Sequence, residues 1–272
     1  MENLLQSPYL EEVKSIYRKN NHLQSVELQY QKTEFDKQIL LSNIDLEKEN
    51  IRIVSIGHAC QVSAHIKNLG LQKNGTEFFD WLISDFSSLH YLFNNENNVF
   101  DAEHFTDQPV FMPCYNTWTN CLKIEHKKFK MISAHDYPIN GPWNDINEKK
   151  KYIDKYTRRW NRFKINFNQF KKNKLVSVFS HQFTKFYISS KEEIKNVLDK
   201  LSILSNGNQY QIHFVCVPKL YINNEIKEFE EMIKDINNCY FHILKKIDNL
   251  TRKTWMDEHL NWHDIMFKIL NT

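Results

Sequence analysis

The sequence predicts a three-layer α/β fold, a mostly parallel sheet with helices on both faces in the Rossmann-like manner, preceded by an N-terminal extension. Three observations predict it. From residue 51 onward, short β-branched apolar runs alternate with longer segments of helical periodicity. Parallel strands need crossover connections, and helices supply them, so this alternation implies a sheet covered on both sides. Glycine numbers only five and proline six among 272 residues, so long irregular loops should be few.

Residues 1–50 are polar and charged, with helix-like spacing from Tyr9 to Tyr17 and alternation from Val26 to Tyr30, and are read as an extension packed on one domain spanning 51–272. The domain opens with Ile51-Arg52-Ile53-Val54-Ser55-Ile56, a strand stopped by Gly57, which permits a sharp turn. Cys60 to Leu69 reads as a helix with Val62, Ile66 and Leu69 on one stripe and Gly70 beyond its end. Phe129 to Ala134 is strand-like and runs into His135-Asp136-Tyr137-Pro138, and a long helix spans roughly Asn147 to Phe170. Strands follow at Leu175–Phe179, Ile212–Val217 and Tyr240–Leu244, alternating with helices at Lys191–Leu204, Glu225–Ile236 and Leu260–Leu270. Ligands of open parallel sheets sit outside the carboxyl ends of the strands. Parallel strands would therefore bring Cys60, the His135-Asp136 pair and Ser180-His181 to one edge.

Composition narrows the function classes. The 36 basic and 33 acidic residues leave a net charge of +3, too small an excess to draw nucleic acid. Five cysteines without paired spacing suggest neither a zinc ribbon nor a disulfide framework. The start, Met1-Glu2-Asn3, lacks signal-peptide character, and no apolar stretch approaches the ~20 residues that cross a bilayer. The expectation is a soluble protein of the reducing cytoplasm. Dinucleotide, P-loop, HExxH and GxSxG motifs are absent, and no His/carboxylate set has metal-ligand spacing, so neither a metal nor a cofactor is expected.

The chemistry centres on Cys60. At the first turn of a helix, backbone N–H groups and the positive dipole end stabilise a thiolate, and the same amides can hold an oxyanion. Gly57, His58 and Gln61 complete this turn. The bland alternative is a small buried hydrophobe, the usual fate of a free cysteine. A nucleophilic cysteine needs a base. His135, beside Asp136 at a strand end, is the first candidate, and His263 within Asn261-Trp262-His263-Asp264 the second. Asp80, in Phe78-Phe79-Asp80-Trp81, either caps the following helix or orients a histidine. Arg158 and Arg162 share a helix face, placed to bind an anionic group or to pair with acidic residues of neighbouring helices.

Ser55-Ile56-Gly57-x-x-Cys60-Gln61-Val62, Leu69-Gly70-Leu71 and Phe79-Asp80-Trp81 resemble the opening of a bacterial family of papain-like cysteine peptidases. His135-Asp136-Tyr137-Pro138, Tyr156-x-Arg158-Arg159-x-x-Arg162-Phe163 and Trp262-His263 resemble its later motifs, so the likeness runs over roughly 51–268. Ser180-His181 departs from the family's Val-Arg. The resemblance implies a hydrolase acting on a peptide-like substrate, with Cys60 as nucleophile, His135 as base and an acidic residue in support. The Gly-x-x-Cys-Gln turn is also similar to that of polysaccharide-biosynthesis acetyltransferases, which implies an acyltransferase drawing on acyl-coenzyme A and acting on an acylated or glycan substrate. A non-catalytic binding module using the sheet edge and the Arg158/Arg162 face is the third reading.

Overall fold

The computed structural model describes residues 46, 48–57, 60–72, 75–80, 82–84, 86–95, 110–111, 121–126, 131–138, 145–179, 190–216, 223–245 and 262–272. The elements expected at 9–17 and 26–30 lie outside them.

A parallel sheet forms the centre of the domain. Its strands β1 (Ile51–Ser55), β6 (Lys172–Phe179), β7 (Gln209–Cys216) and β8 (Cys239–Ile243) stand side by side in chain order. Helix α1 (Cys60–Asn68) leaves β1, and Gly70, at φ +69°, takes the left-handed conformation beyond its end. Helices α2 (Phe86–Asn94), α3 (Ile146–Gln169), α4 (Lys191–Ser205), α5 (Asn223–Ile233) and α6 (Trp262–Asn271) follow.

The period-2 alternation of the strands decides which helices cover which face. Ile51 and Ile53 of β1, Val176 of β6 and Val215 of β7 form one buried cluster with Val62 and Ile66 of α1 and Trp262, Ile265, Met266 and Ile269 of α6. Val54, Leu175, Ile212 and Phe214 face the other way and join α2, α3, α4 and α5 in a larger cluster. The expected three layers are therefore present, with helices on both faces. Phe163 and Phe167 of α3 and Leu201 of α4 are fully buried in that larger cluster, and burying a side chain of this size contributes about 2 kcal/mol.

Two features differ from the expectation. A second sheet exists, and it is antiparallel, in the order β2 (Leu82–Ile83), β5 (Met131–Pro138), β4 (Cys121–His126) and β3 (Val110–Phe111). The strand expected to end at Ala134 runs on as β5 to Pro138, so His135 and Asp136 lie inside an antiparallel strand rather than after a parallel one. Only four residues lie between β4 and β5, too few for a crossover, so the two strands pair as antiparallel neighbours.

The α1/α6 side of the parallel sheet also carries a polar group of residues. His213 of β7 is wholly buried, with its Nδ1 3.0 Å from Nε2 of His242 on β8 and its ring stacked on Tyr240 at 5.0 Å. Lys174 of β6 donates to Gln211 Oε1, which stands 3.3 Å from His213 Nε2.

Candidate active site

α1, the helix after β1, packs on one face of the sheet, and α4, the next described helix after β6, packs on the other. In open parallel sheets ligands sit outside the carboxyl ends of the strands, the end of β1 that α1 follows. The ladder between the two strands ends with Ile56 N donating to Val176 O at 2.9 Å, and β6 continues beyond β1 to Phe179.

Gly57 makes the turn out of β1 at φ +122°, a conformation that side chains rarely adopt. A Cβ there would collide with Ser84 Oγ and stand 3.1 Å from Ser84 O. The turn is thus both conformationally and sterically reserved for glycine. Ser84, next to β2, and Ser55, the last residue of β1, are buried, and neither hydroxyl has a hydrogen-bond partner. Two orphan hydroxyls beside one turn are unusual, since the large majority of buried polar groups are paired. Serine identity alone gave no signal for either.

Cys60 is the first residue of α1, whose first turn carries no acidic residue to offset the positive dipole end. The helix is held from both sides. Ser63 Oγ donates to Asp80 Oδ1 at 2.7 Å, and Asp80 Oδ2 accepts from Glu77 N and Gln72 Nε2, each at 2.8 Å. On the opposite side His65 stacks on Trp262 of α6, with ring centroids 4.4 Å apart. Burial raises the Asp80 carboxyl above its ordinary pKa, and the Ser63 and Glu77 hydrogen bonds partly offset this. The helix-cap role expected for Asp80 is corrected: α2 begins only at Phe86, and the carboxylate instead ties α1 to the 72–80 segment.

His135 and Asp136 sit at an irregularity of the β4–β5 ladder. Leu122 faces Tyr137 and Ile124 faces Ser133, so one residue of β4 stands against three of β5, Ala134, His135 and Asp136. Such bulges re-aim side chains and recur beside active sites. A chain of contacts joins this point to the Gly57 turn: Ser84 lies against Gly57, and Leu82, two residues earlier, pairs with Ser133, two residues before His135. Of Cys60, Gln61, His135 and Asp136 the backbone is described and the side chains are not, while His58 and the Ser180-His181 pair lie outside the described residues altogether. His263 is the second residue of α6, half-buried and next to Trp262.

The surroundings of two other cysteines disfavour a thiolate. Burial pushes the thiols of Cys216 and Cys239 up to about 12. The basic helix also differs from expectation. Arg158 is exposed, and among the described residues none of Arg158, Arg159 and Arg162 has an ion-pair partner, whereas Arg159 and Arg162 turn toward the 76–80 segment. Among the described residues no group of three or more His, Cys, Asp or Glu assembles as a metal site, and no helix is long and apolar enough to cross a membrane.

Residues 51–219 match the model of one protein family, whose description reads "Putative papain-like cysteine peptidase (DUF1796)". The matched stretch begins at β1 and ends just past β7, so it contains Cys60 and His135 and stops short of His263. No curated protein and no solved structure matches the chain.

Proposed function

From the premise that the chain belongs to this papain-like cysteine peptidase family, we propose that it is a thiol-dependent hydrolase with Cys60 as its nucleophile and a peptide-like acyl substrate. The observation that carries the reading is the turn itself. Cys60 opens α1 just after the carboxyl end of β1, beyond a glycine that cannot be replaced without collision. The α1 dipole and the amides of the first turn favour the thiolate over the thiol.

In the proposed reaction an imidazole takes the proton of Cys60 Sγ, and the thiolate attacks the acyl carbon. The amides at the start of α1, that of Gln61 among them, hold the resulting oxyanion. The leaving group departs with the proton from the imidazolium, and water, deprotonated by the same imidazole, cleaves the thioester. His135 is the assigned base, because it lies within the matched stretch and its backbone is tied to the Gly57 turn through Ser84, Leu82 and Ser133. His263 is the alternative base, and Asp136 the acidic support. Asp80 holds α1 in place rather than orienting a histidine.

Iodoacetamide labelling at near-neutral pH, read by peptide mapping, tests the nucleophile. Cys60 should label roughly tenfold or more faster than a free thiol of ordinary pKa, and the His135→Ala variant should slow it. Labelling of Cys60 no faster than free cysteine overturns the assignment. Slowing by His263→Ala, with His135→Ala inert, transfers the base role to His263.

A further inference from the structure

Helix α3 presents two arginines that each keep one buried N–H group without an acceptor. Its buried stripe of Tyr156, Trp160, Phe163 and Phe167 fixes which way the helix faces. Phe78 packs edge-on between Tyr156 at 5.8 Å and Trp160 at 5.2 Å, so the 76–80 segment lies along the helix there. Arg159 and Arg162, one turn apart, flank that contact. The Arg159 guanidinium lies over the Tyr156 ring, 5.3 Å from its centre, and its Nη1 is buried with no hydrogen-bond partner. Arg162 Nη2 donates to Thr76 O, while its Nε is buried without a partner.

Among the described residues, the two carboxylates of the 76–80 segment, Glu77 and Asp80, are already engaged. Glu77 pairs with Arg52, Nε to Oε1 at 3.0 Å and Nη2 to Oε2 at 2.8 Å. Asp80 is felt by Arg159 as a charge, yet its oxygens accept from Ser63, Gln72 and the Glu77 amide. Each guanidinium, one turn from the other on α3, keeps one buried N–H group unmet, which costs free energy until an acceptor arrives. The planar guanidinium fork matches a tetrahedral oxyanion, two N–H groups to two oxygens.

We infer that Arg159 and Arg162, with the 76–80 segment, form a binding site for a phosphate-type oxyanion, either free phosphate or the phosphoryl group of a larger ligand. The site is independent of the thiol chemistry, since it is read by binding alone.

The test is calorimetric titration of the full chain with inorganic phosphate in one arm and phosphoserine in the other, against sodium chloride of matched ionic strength. Saturable binding beyond chloride is expected. Arg159→Gln and Arg162→Gln should each weaken it roughly tenfold or more. Arg158→Gln, exposed on the same turn, should leave it unchanged. Phosphoserine binding tighter than phosphate assigns the phosphoryl group of a larger ligand, and the reverse assigns the free ion. If a Gln variant loses its far-ultraviolet circular dichroism, Arg159→Lys and Arg162→Lys replace it; they keep the charge but lose the fork, and weakened binding is again expected. Absence of saturable binding, or equal weakening by Arg158→Gln, overturns the site.

Discussion

Acidification should destabilise this protein well before its carboxylates titrate, through the buried pair His213 and His242. Burial first, then the neighbouring His242 and Lys174, push the His213 imidazole from 6.5 down to about 2. Burial and Lys268 push His242 down to about 4. Both rings are therefore neutral in the folded protein near pH 5, whereas the same rings bind protons in the unfolded chain. A base with a lowered folded pKa contributes no pH dependence above its unfolded value; stability then falls as pH drops below 6.5 and levels off at the folded pKa. At about pH 5 the gap is about 1.5 units, which at about 1.4 kcal/mol per unit gives about 2 kcal/mol for His213. Half-buried His242 is screened by solvent and is given about half as much. The expected loss between about pH 7.5 and pH 5 is therefore about 3 kcal/mol. Urea unfolding at the two pH values, on the wild type and on His213→Leu, measures it. The variant is expected to be less stable at neutral pH, from the lost contacts, but to lose about 2 kcal/mol less on acidification. Equal pH slopes for the two proteins would refute the reasoning.

Other outcomes follow from specific contacts. Gly57→Ala meets Ser84 and an unfavourable φ of +122°, so it should cost about 1–3 kcal/mol in chemical denaturation, and Ser84→Gly in the same chain should recover part of that loss. Glu77→Gln leaves the buried Arg52 guanidinium without its carboxylate, and a loss of about 3–5 kcal/mol is expected, visible as a large drop in Tm. Ser190 and Glu193 form a reciprocal capping box at the start of α4, and Ser190→Ala should cost about 1 kcal/mol in the same assay.

The parallel sheet and its helices were legible because their signals are long. The 24 residues of α3 repeat an aromatic stripe at helical spacing, and β1 is a bounded β-branched run. The antiparallel sheet was not legible. β2 and β3 contain two residues each, too short for any alternation to register. The extension of β5 through His135 was hidden by Pro138, which reads as a stop yet is tolerated as the last residue of a strand. The placement of the candidate site was legible in part: Gly57 follows β1 and Cys60 begins α1, as read. Arg159 was passed over because spacing alone paired Arg158 with Arg162, whereas the Tyr156–Trp160–Phe163 stripe decides which arginines turn inward. Ser55 and Ser84 left no pattern, since a hydroxyl becomes informative only once it is seen buried and unmatched.

The stacking of His65 on Trp262 has a bearing on how the protein is made. Chains emerge from the ribosome in order, at roughly 5–20 residues per second, and α6 follows α1 by most of the domain. Until Trp262, Ile265, Met266 and Ile269 arrive, the sheet face formed by Ile51, Ile53, Val176 and Val215 lacks the cover of α6, and α1 is held by the sheet and by Asp80 without its α6 contact. The helix that begins at Cys60 therefore gains its second support only late in synthesis. A nascent chain arrested before α6 would already carry its cysteine, yet not the rigid helix beneath it.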